Sequence, residues 1–376
     1  MSGPLGVVIT IVLFIIVLGG LVLVHELGHF ITARLAGVRV LEFGIGFPPR
    51  AKVLRARGET LYTLNWLPIG GFVKLEGEDG DDAGDPRSFV RARLPTKMII
   101  LVAGVAMNLL TSFLIFTAIA WLATPFVGLR FFEVQPSSPA ATAGLKSGDA
   151  ILGIDGHQFE FFGESQVLTE LRKNAGRTVT LTIEHPDGRV EPVAVALRPQ
   201  SEIDASKDAN GIATKGPLGI SGDRVPFEAR FFGSTGRDLP TAMGVGASET
   251  VRWFGVILSG LGDLVGQIAT NPTAPPPVAG PVGIATQIAD IFFGAGFVMT
   301  LYVAGILSAN LALVNILPFP PLDGGRMLMI ALKSLFGARI SLRAERLTYV
   351  VGFVFLFAFL IWVTGFDIVR ILSGGT

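Results

Sequence analysis

The chain has 376 residues, half of them hydrophobic and only 16% charged, with a formal net charge of zero and no cysteine. That balance describes a membrane protein carrying some soluble structure, and it leaves no basic field for nucleic acid. Without cysteine there are no disulfides and no thiolate metal sites, so any transition metal must be held by His, Asp or Glu.

An apolar run over residues 4–24 is long enough to span the roughly 30 Å hydrocarbon core as a helix. It lacks a basic leader and a small-residue cleavage site, and it continues into "HELGHFITARLAG", so it reads as a retained transmembrane helix. His25 and His29 stand four apart, on one face of that helix, where both imidazoles can reach one zinc ion. Glu26 is turned about 100° from His25, which sets its carboxylate beside the metal as a base for a bound water. A chance HExxH is common, but ionisable groups inside a membrane helix cost about 2–3 kcal/mol each on insertion scales. With only four histidines in the chain, two of them here, a metal site outweighs coincidence.

The following loop, to residue 96, contains β-like runs at 52–54 and 61–64 and a glycine-rich apolar stretch ending at Gly70, Gly71 and Phe72. These predict a β-hairpin held at the membrane face, with an edge at 62–74 open to strand addition by substrate. "EGEDGDDAGDPRS" reads as an exposed acidic loop, its spacing unlike that of a calcium-binding EF-hand loop. A second apolar run covers 98–123.

Between 125 and 200 the texture changes to a small α/β domain: a small-residue helix at 139–143, a strand at 150–154, a helix near 165–174 and two strands around Asp187-Gly188. "GLKSGDAILGIDG" closely resembles the same stretch of bacterial protease-associated PDZ domains. His157 and His185 fall within this domain and read as turn or surface residues. Residues 201–293 read as a polar linker, an amphipathic helix around 241–268 and a proline break. Apolar runs at 296–317 and 347–363 complete four transmembrane helices. Lysine and arginine crowd the first loop and the short loop 326–346, and are sparse in the central segment. Both basic loops therefore face the cytoplasm, with the central domain and both termini outside.

A zinc site needs a third ligand at the depth of His25. Asp323, in "NILPFPPLDGG" at the end of the third run, lies on the same side because the first and third helices run in the same direction.

HExxH in the first helix, "NILPFPPLDGG" in a later one and a PDZ-like stretch between them resemble the site-2 protease family, most closely its regulator-of-sigma-E protease branch. "GVAMN" at 104–108 and "GPVGI" at 280–284 match further family patterns, so the resemblance covers nearly the whole chain. It implies zinc held by His25, His29 and Asp323, Glu26 as base, Asn315 holding substrate or the oxyanion, and Asn108 supporting the same site. It implies cleavage of transmembrane protein substrates within the bilayer of an inner membrane, for example an anti-sigma factor or a signal-peptide remnant. The PDZ domain would receive a peptide or protein terminus, or screen bulky ectodomains; this chain carries one such unit where the best-known members carry two. The expected fold is a polytopic α-helical membrane protein with a β-hairpin loop and an inserted extracytoplasmic α/β domain. Its segments are 1–36, 37–96, 97–124, 125–200, 201–293, 294–325, 326–346 and 347–366. A non-catalytic membrane scaffold presenting a PDZ domain is the alternative, although a scaffold has no reason to keep the base.

Overall fold

The computed structural model describes residues 3–78, 84–162, 166–207, 213–220, 228–271, 274–337 and 342–373. The chain opens with α1 (Pro4–Leu35), β1 (Val40–Arg57), β2 (Thr60–Leu75) and α2 (Leu94–Leu122). There follow β3 (Thr124–Arg130), α3 (Pro139–Thr142), β4 (Ala150–Ile154), β5 (His157–Gln158), α4 (Val167–Lys173), β6 (Thr178–Glu184), β7 (Val190–Ala196), α5 (Gln200–Asp204) and β8 (Glu228–Thr235). The last part is helical: α6 (Leu239–Thr270), α7 (Pro281–Ile316), α8 (Asp323–Phe336) and α9 (Leu342–Leu372). The middle of the acidic loop, 79–83, and the start of the expected helix at 165 lie outside the described residues.

These elements form two compact units, one of residues 1–118 with 243–376 and one of 119–242. In the first, five helices among the described residues are long and apolar enough to cross a membrane, against the four expected from the sequence. The additional one is α6, which has the lowest mean hydropathy of the five and carries Glu249, Arg252 and Asp263. Only 6% of the most apolar window of α1 and 11% of that of α9 is buried, against 39% for α2 and 44% for α7. The last two are the packed centre, and the first and last helices present apolar side chains outward. A multi-pass membrane protein is the physical consequence, since no soluble chain leaves Leu5, Ile16, Val351 and Phe355 more than half exposed together.

The helix α7 is broken at Gly296, whose φ of 80° is non-helical. The third apolar run begins at that break, while most of the helical segment before it, from Pro281, falls in the stretch 201–293 that reads from sequence as linker and amphipathic-helix region. At its other end α7 stops at Ile316, because prolines at 318, 320 and 321 lack the N–H that a continuing helix requires. Asp323 therefore does not ride on the third helix, as the boundary at 325 supposed. It is the first residue of a separate helix, α8, which occupies much of what reads as a loop.

The β1–β2 sheet is larger than the hairpin expected at 52–64. Residues 52–57 pair with 60–64 as a hairpin, and residues 42–45 take partners on both flanks, 61–64 on one and 71–74 on the other. Residues 50–57 and 71–75 are the two edges. Glu42 pins the fold of β1 on itself, accepting from Arg50 Nε (3.1 Å) and from the Thr63 hydroxyl (2.7 Å).

The second unit is built on a sheet of order β7-β6-β4-β3-β8, with β5 added beside β4. Its core holds Phe131, Ile151, Leu171, Leu181 and Ile183. β6 alternates exposed and buried side chains, the period of a strand with one wet face. Leu218 and Ile220 belong to this core and β8 pairs along β3, so the unit runs well past residue 200. Its closing strand lies beyond a polar stretch whose composition resembles a linker.

Candidate active site

Beyond Gly6 near its start, the buried residues of α1 are Leu21, His25, Gly28, His29 and Ala33, a stripe at helical spacing in which two imidazoles take the place of core side chains. The stripe meets α2 at Gly104. A Cβ there would overlap Nε2 of both histidines, so only glycine lets the two helices close around them. One turn further along α2, Asn108 is fully buried and its side-chain amide meets Nδ1 of His25 at 3.2 Å. Nδ1 of His29 is 2.8 Å from the carbonyl of Ile100, to which it donates. The spacing of "GVAMN" thus has a physical content: room for the imidazoles, then a partner for one of them.

With their Nδ1 atoms engaged, both histidines turn Nε2 toward Asp323. Nε2 of His25 lies 2.9 Å from Oδ2 of Asp323 and Nε2 of His29 lies 3.3 Å from it, while the two Nε2 atoms are 3.1 Å apart. These three residues are the group of His and carboxylate side chains among the described residues that could hold a metal ion. Three ligands at zinc bond lengths of about 2.0–2.1 Å on a tetrahedron sit about 3.3 Å from one another. The observed triangle is that size, contracted by a few tenths of an ångström. Its donors are the right kind for zinc, two nitrogens and a carboxylate oxygen, and all three side chains are largely buried.

The fit also orients Asn108. A ligating Nε2 needs the Nδ1–H tautomer of His25, which donates, so the amide oxygen must face it; in the opposite orientation that oxygen is buried without a partner. Ser308 of α7 completes this shell by donating to the carbonyl of Asn108 (2.7 Å).

Glu26 lies in the wall of a cavity of about 80 Å³ that also contains His29 and Asp323. Val73, Leu75, Glu78 and Arg326 contribute to the same wall, bringing the edge of β2 and the start of α8 to the site. Of the edge residues singled out in the sequence, Gly71 faces Leu23 and Glu26 of α1 directly, and Gly70 holds a positive φ of 76° against Val22. Phe72 pairs with Gly44. Asn315 is the second-last residue of α7.

Sequence reasoning missed the Ile100 carbonyl, Ser308, Glu78 and Arg326. A backbone acceptor leaves no trace in residue type. Arg326 did have a signal, standing three residues after Asp323 and so on the same side of a helix.

The profile of Peptidase family M50 matches residues 13–359. Relatives align over almost their whole length. A protein of Nostoc sp., named provisionally as a zinc metalloprotease, is 31% identical over 91% of this chain and 91% of its own. The zinc metalloprotease RasP of Geobacillus kaustophilus is 28% identical over 96% of this chain and 97% of its own. A Clostridium acetobutylicum protein, also named provisionally as a zinc metalloprotease, is 29% identical over the same shares. The chain belongs to Peptidase family M50, a family of metalloproteases, and it is an enzyme of that class.

Proposed function

We propose that this protein is an intramembrane zinc endopeptidase that hydrolyses peptide bonds within the transmembrane segments of other membrane proteins. The observation that carries the reading is the convergence of His25, His29 and Asp323 on one point, with Glu26 in the wall of the adjoining cavity. His25 and His29 would hold zinc through Nε2 and Asp323 through its carboxylate. When bound, zinc supplies Lewis acidity and lowers the pKa of a water to about 7. Glu26 takes the proton released as the attack on the scissile carbonyl begins, and returns it to the departing amine. Asn108 and the Ile100 carbonyl hold the imidazoles in the tautomer that leaves Nε2 free. Asn315 is assigned to substrate or oxyanion contact, on the strength of the family resemblance.

A helical peptide bond is shielded by its own hydrogen bonds, so the segment must unwind, and in lipid the freed groups need new partners. The edge at Gly70, Gly71 and Phe72 is assigned that role by strand addition. Its support is the free flank of the sheet along 71–73 and the closeness of Gly71 to the side chain of Glu26.

The second unit is read as a PDZ domain that takes a peptide or protein terminus. A cavity of about 440 Å³ is lined by α4 and residues 213–220, with Arg172 and Lys215 in its wall beside the ion pair of Lys207 with Asp204, a setting with cations available to a carboxylate. The distribution of Lys and Arg supports an extracytoplasmic position for this unit, with the HExxH end of α1 toward the cytoplasm. The amphipathic α6 would lie along the membrane surface rather than cross it, keeping four spans. Cleavage would then belong to regulated intramembrane proteolysis, of an anti-sigma factor or a signal-peptide remnant.

The test is purified protein, reconstituted with a tethered transmembrane substrate. About one zinc per chain is expected, with cleavage lost on chelation and regained on adding zinc. His25→Ala should lose both metal and cleavage. Cleavage that survives full removal of the metal would overturn the assignment.

A further inference from the structure

The outward flank of β2 ends in a plug. Glu76 donates its N–H inward to the carbonyl of Arg39 (2.9 Å), so Leu75, one residue earlier, turns its own backbone groups outward. The same alternation turns those of Val73 and Gly71 outward. Leu75's groups are already taken. Its N–H donates to Oε2 of Glu78 (3.0 Å) and its carbonyl accepts from the N–H of Glu78 (3.4 Å). The other carboxylate oxygen of Glu78 is held by Nη1 of Arg326 at 2.5 Å.

Arg326 stands one turn after Asp323, so the same helix end carries a candidate metal ligand and the residue that fixes Glu78. Hydrolysis makes no use of this ion pair. The Arg326 and Glu78 side chains remain 29% and 16% exposed, and an ion pair that still meets solvent adds little to stability. A role in fixing geometry accounts for it.

We propose that Glu78, clamped by Arg326, is a register stop for the extended substrate: it closes the edge of β2 at Leu75 and so decides which peptide bond comes to the metal. The inference rests on the strand-addition reading above. An unwound segment can pair with Gly71 and Val73 but not beyond. Strand pairing repeats every second residue, so alternative registers differ by about two residues, and a stop at one end leaves one of them in place. Arg326 and Glu78 are thus positioning residues, setting the cleavage site rather than touching the reacting atoms.

The experiment reads cleavage sites by mass spectrometry of products from the full-length protein, with bound zinc measured in each variant. Glu78→Leu removes the acceptor and Arg326→Met releases it. Each is expected to keep zinc and to add a second cut displaced by about two residues. Glu78→Gln has one acceptor oxygen where the carboxylate uses two, so it can accept from Leu75 only by turning its NH2 on Arg326, and it is expected to show the second cut at a smaller share than Glu78→Leu. An unchanged site in both zinc-holding variants, even with a slower rate, overturns the stop.

A second measurement needs no variant. N-methylation of successive substrate residues removes one backbone donor at a time, and each lost bond is worth about fivefold in rate at roughly 1 kcal/mol. Loss at alternate residues, ending abruptly on one side, is the expected pattern. Alternation that runs on evenly in both directions overturns the stop and leaves strand addition standing. No alternation at all removes strand addition and the stop together.

Discussion

The two compact units differ most in what they expose. In the unit of residues 119–242 the large apolar side chains Phe131, Ile151, Leu171, Leu181 and Ile183 are fully buried, with a few hydrogen-bonded polar groups such as Asp149 among them, and β6 turns its polar side chains outward. In the helical unit, Leu5, Ile16, Leu347 and Phe355 are mostly exposed, while His25, Asn108, Ser308 and Asp367 are buried. Against water an apolar side chain reveals the core, whereas against lipid it reveals nothing, because lipid is as good a neighbour as another helix. There the buried polar groups carry the information. They sort into two kinds. Asp367 accepts from the N–H groups of Gly280 (3.2 Å) and Gly283 (2.8 Å), a carboxylate capping the start of α7, and its bonds are all accounted for as structure. His25, His29 and Asp323 instead turn their ligand atoms toward one another, an arrangement that could hold a metal ion.

If the buried polar groups of the helical unit are chemistry, the largest effect belongs to Glu26→Gln. The amide cannot take a proton, so cleavage should fall by about 10²–10⁴-fold, the usual worth of a general base. Zinc content should stay at the parental level. Parental cleavage by this variant would remove Glu26 from the mechanism. In the other unit the corresponding experiment is on packing. Leu181→Ala should destabilise the domain by about 2–5 kcal/mol through lost burial and a residual cavity. Ile16→Ala on α1, where the side chain is 64% exposed, should shift unfolding far less. Hydrogen exchange of the intact protein reads both; equal effects would mean that the outward apolar face of α1 is packed against protein after all.

A smaller effect tests the support of the ligands. Asn108→Ala leaves Nδ1 of His25 without its acceptor, and zinc affinity should drop by about 10–100-fold, as for other residues that orient metal-binding histidines. Competition with a chelator measures it. Asn108→Asp restores an acceptor and should recover much of the affinity, which a purely steric role for Asn108 would not predict.

How far the sequence led follows the same division. HExxH was legible because its spacing is one helical turn; Asp323 alone reads as part of an Asp-Gly-Gly turn and became legible only at matching depth with HExxH, on an apolar run of the same direction. The strand 178–184 was legible through alternation against water, whereas 150–154, buried along its whole length, was legible through the Gly-Asp and Asp-Gly turns that bound it. The pairing of 42–45 with two partners was not, since a central strand is defined by segments distant in sequence and glycine-rich runs carry weak registers. β8 was hidden for a related reason: its partner β3 precedes it by about a hundred residues and a polar stretch intervenes. The separate helix α8 was concealed by reading the basic residues around Lys333 as a loop, although its apolar face closes on the core at Met329.

The smallest effect lies in the water-facing unit and concerns His185, read from sequence as a turn or surface residue. Its Nδ1 lies 2.8 Å from Oδ1 of the fully buried Asp149, and its Nε2 is 3.2 Å from Oε1 of Glu191. The hydrogen bond to Asp149, then that to Glu191, raises the imidazole pKa above its ordinary value near 6.5. A group whose folded pKa is raised binds its proton more tightly in the native state. Its contribution is therefore fully present below the unfolded pKa, near 6.5, and is lost as pH rises through the higher folded value. Above that value a neutral His185 can still donate from Nδ1 to Asp149 but no longer holds Glu191 as an ion pair. Asp149 keeps a second bond, accepting from the N–H of Lys146 at 2.8 Å, so the domain loosens without unfolding. Exchange protection of β6 and β7 in the intact protein should thus be somewhat greater at about pH 5.5 than at about pH 8.5, on either side of the histidine range. The same comparison in His185→Gln should lose that difference, while zinc content and the cleavage site stay parental. A pH dependence that survives the substitution would place the titrating group elsewhere in the domain.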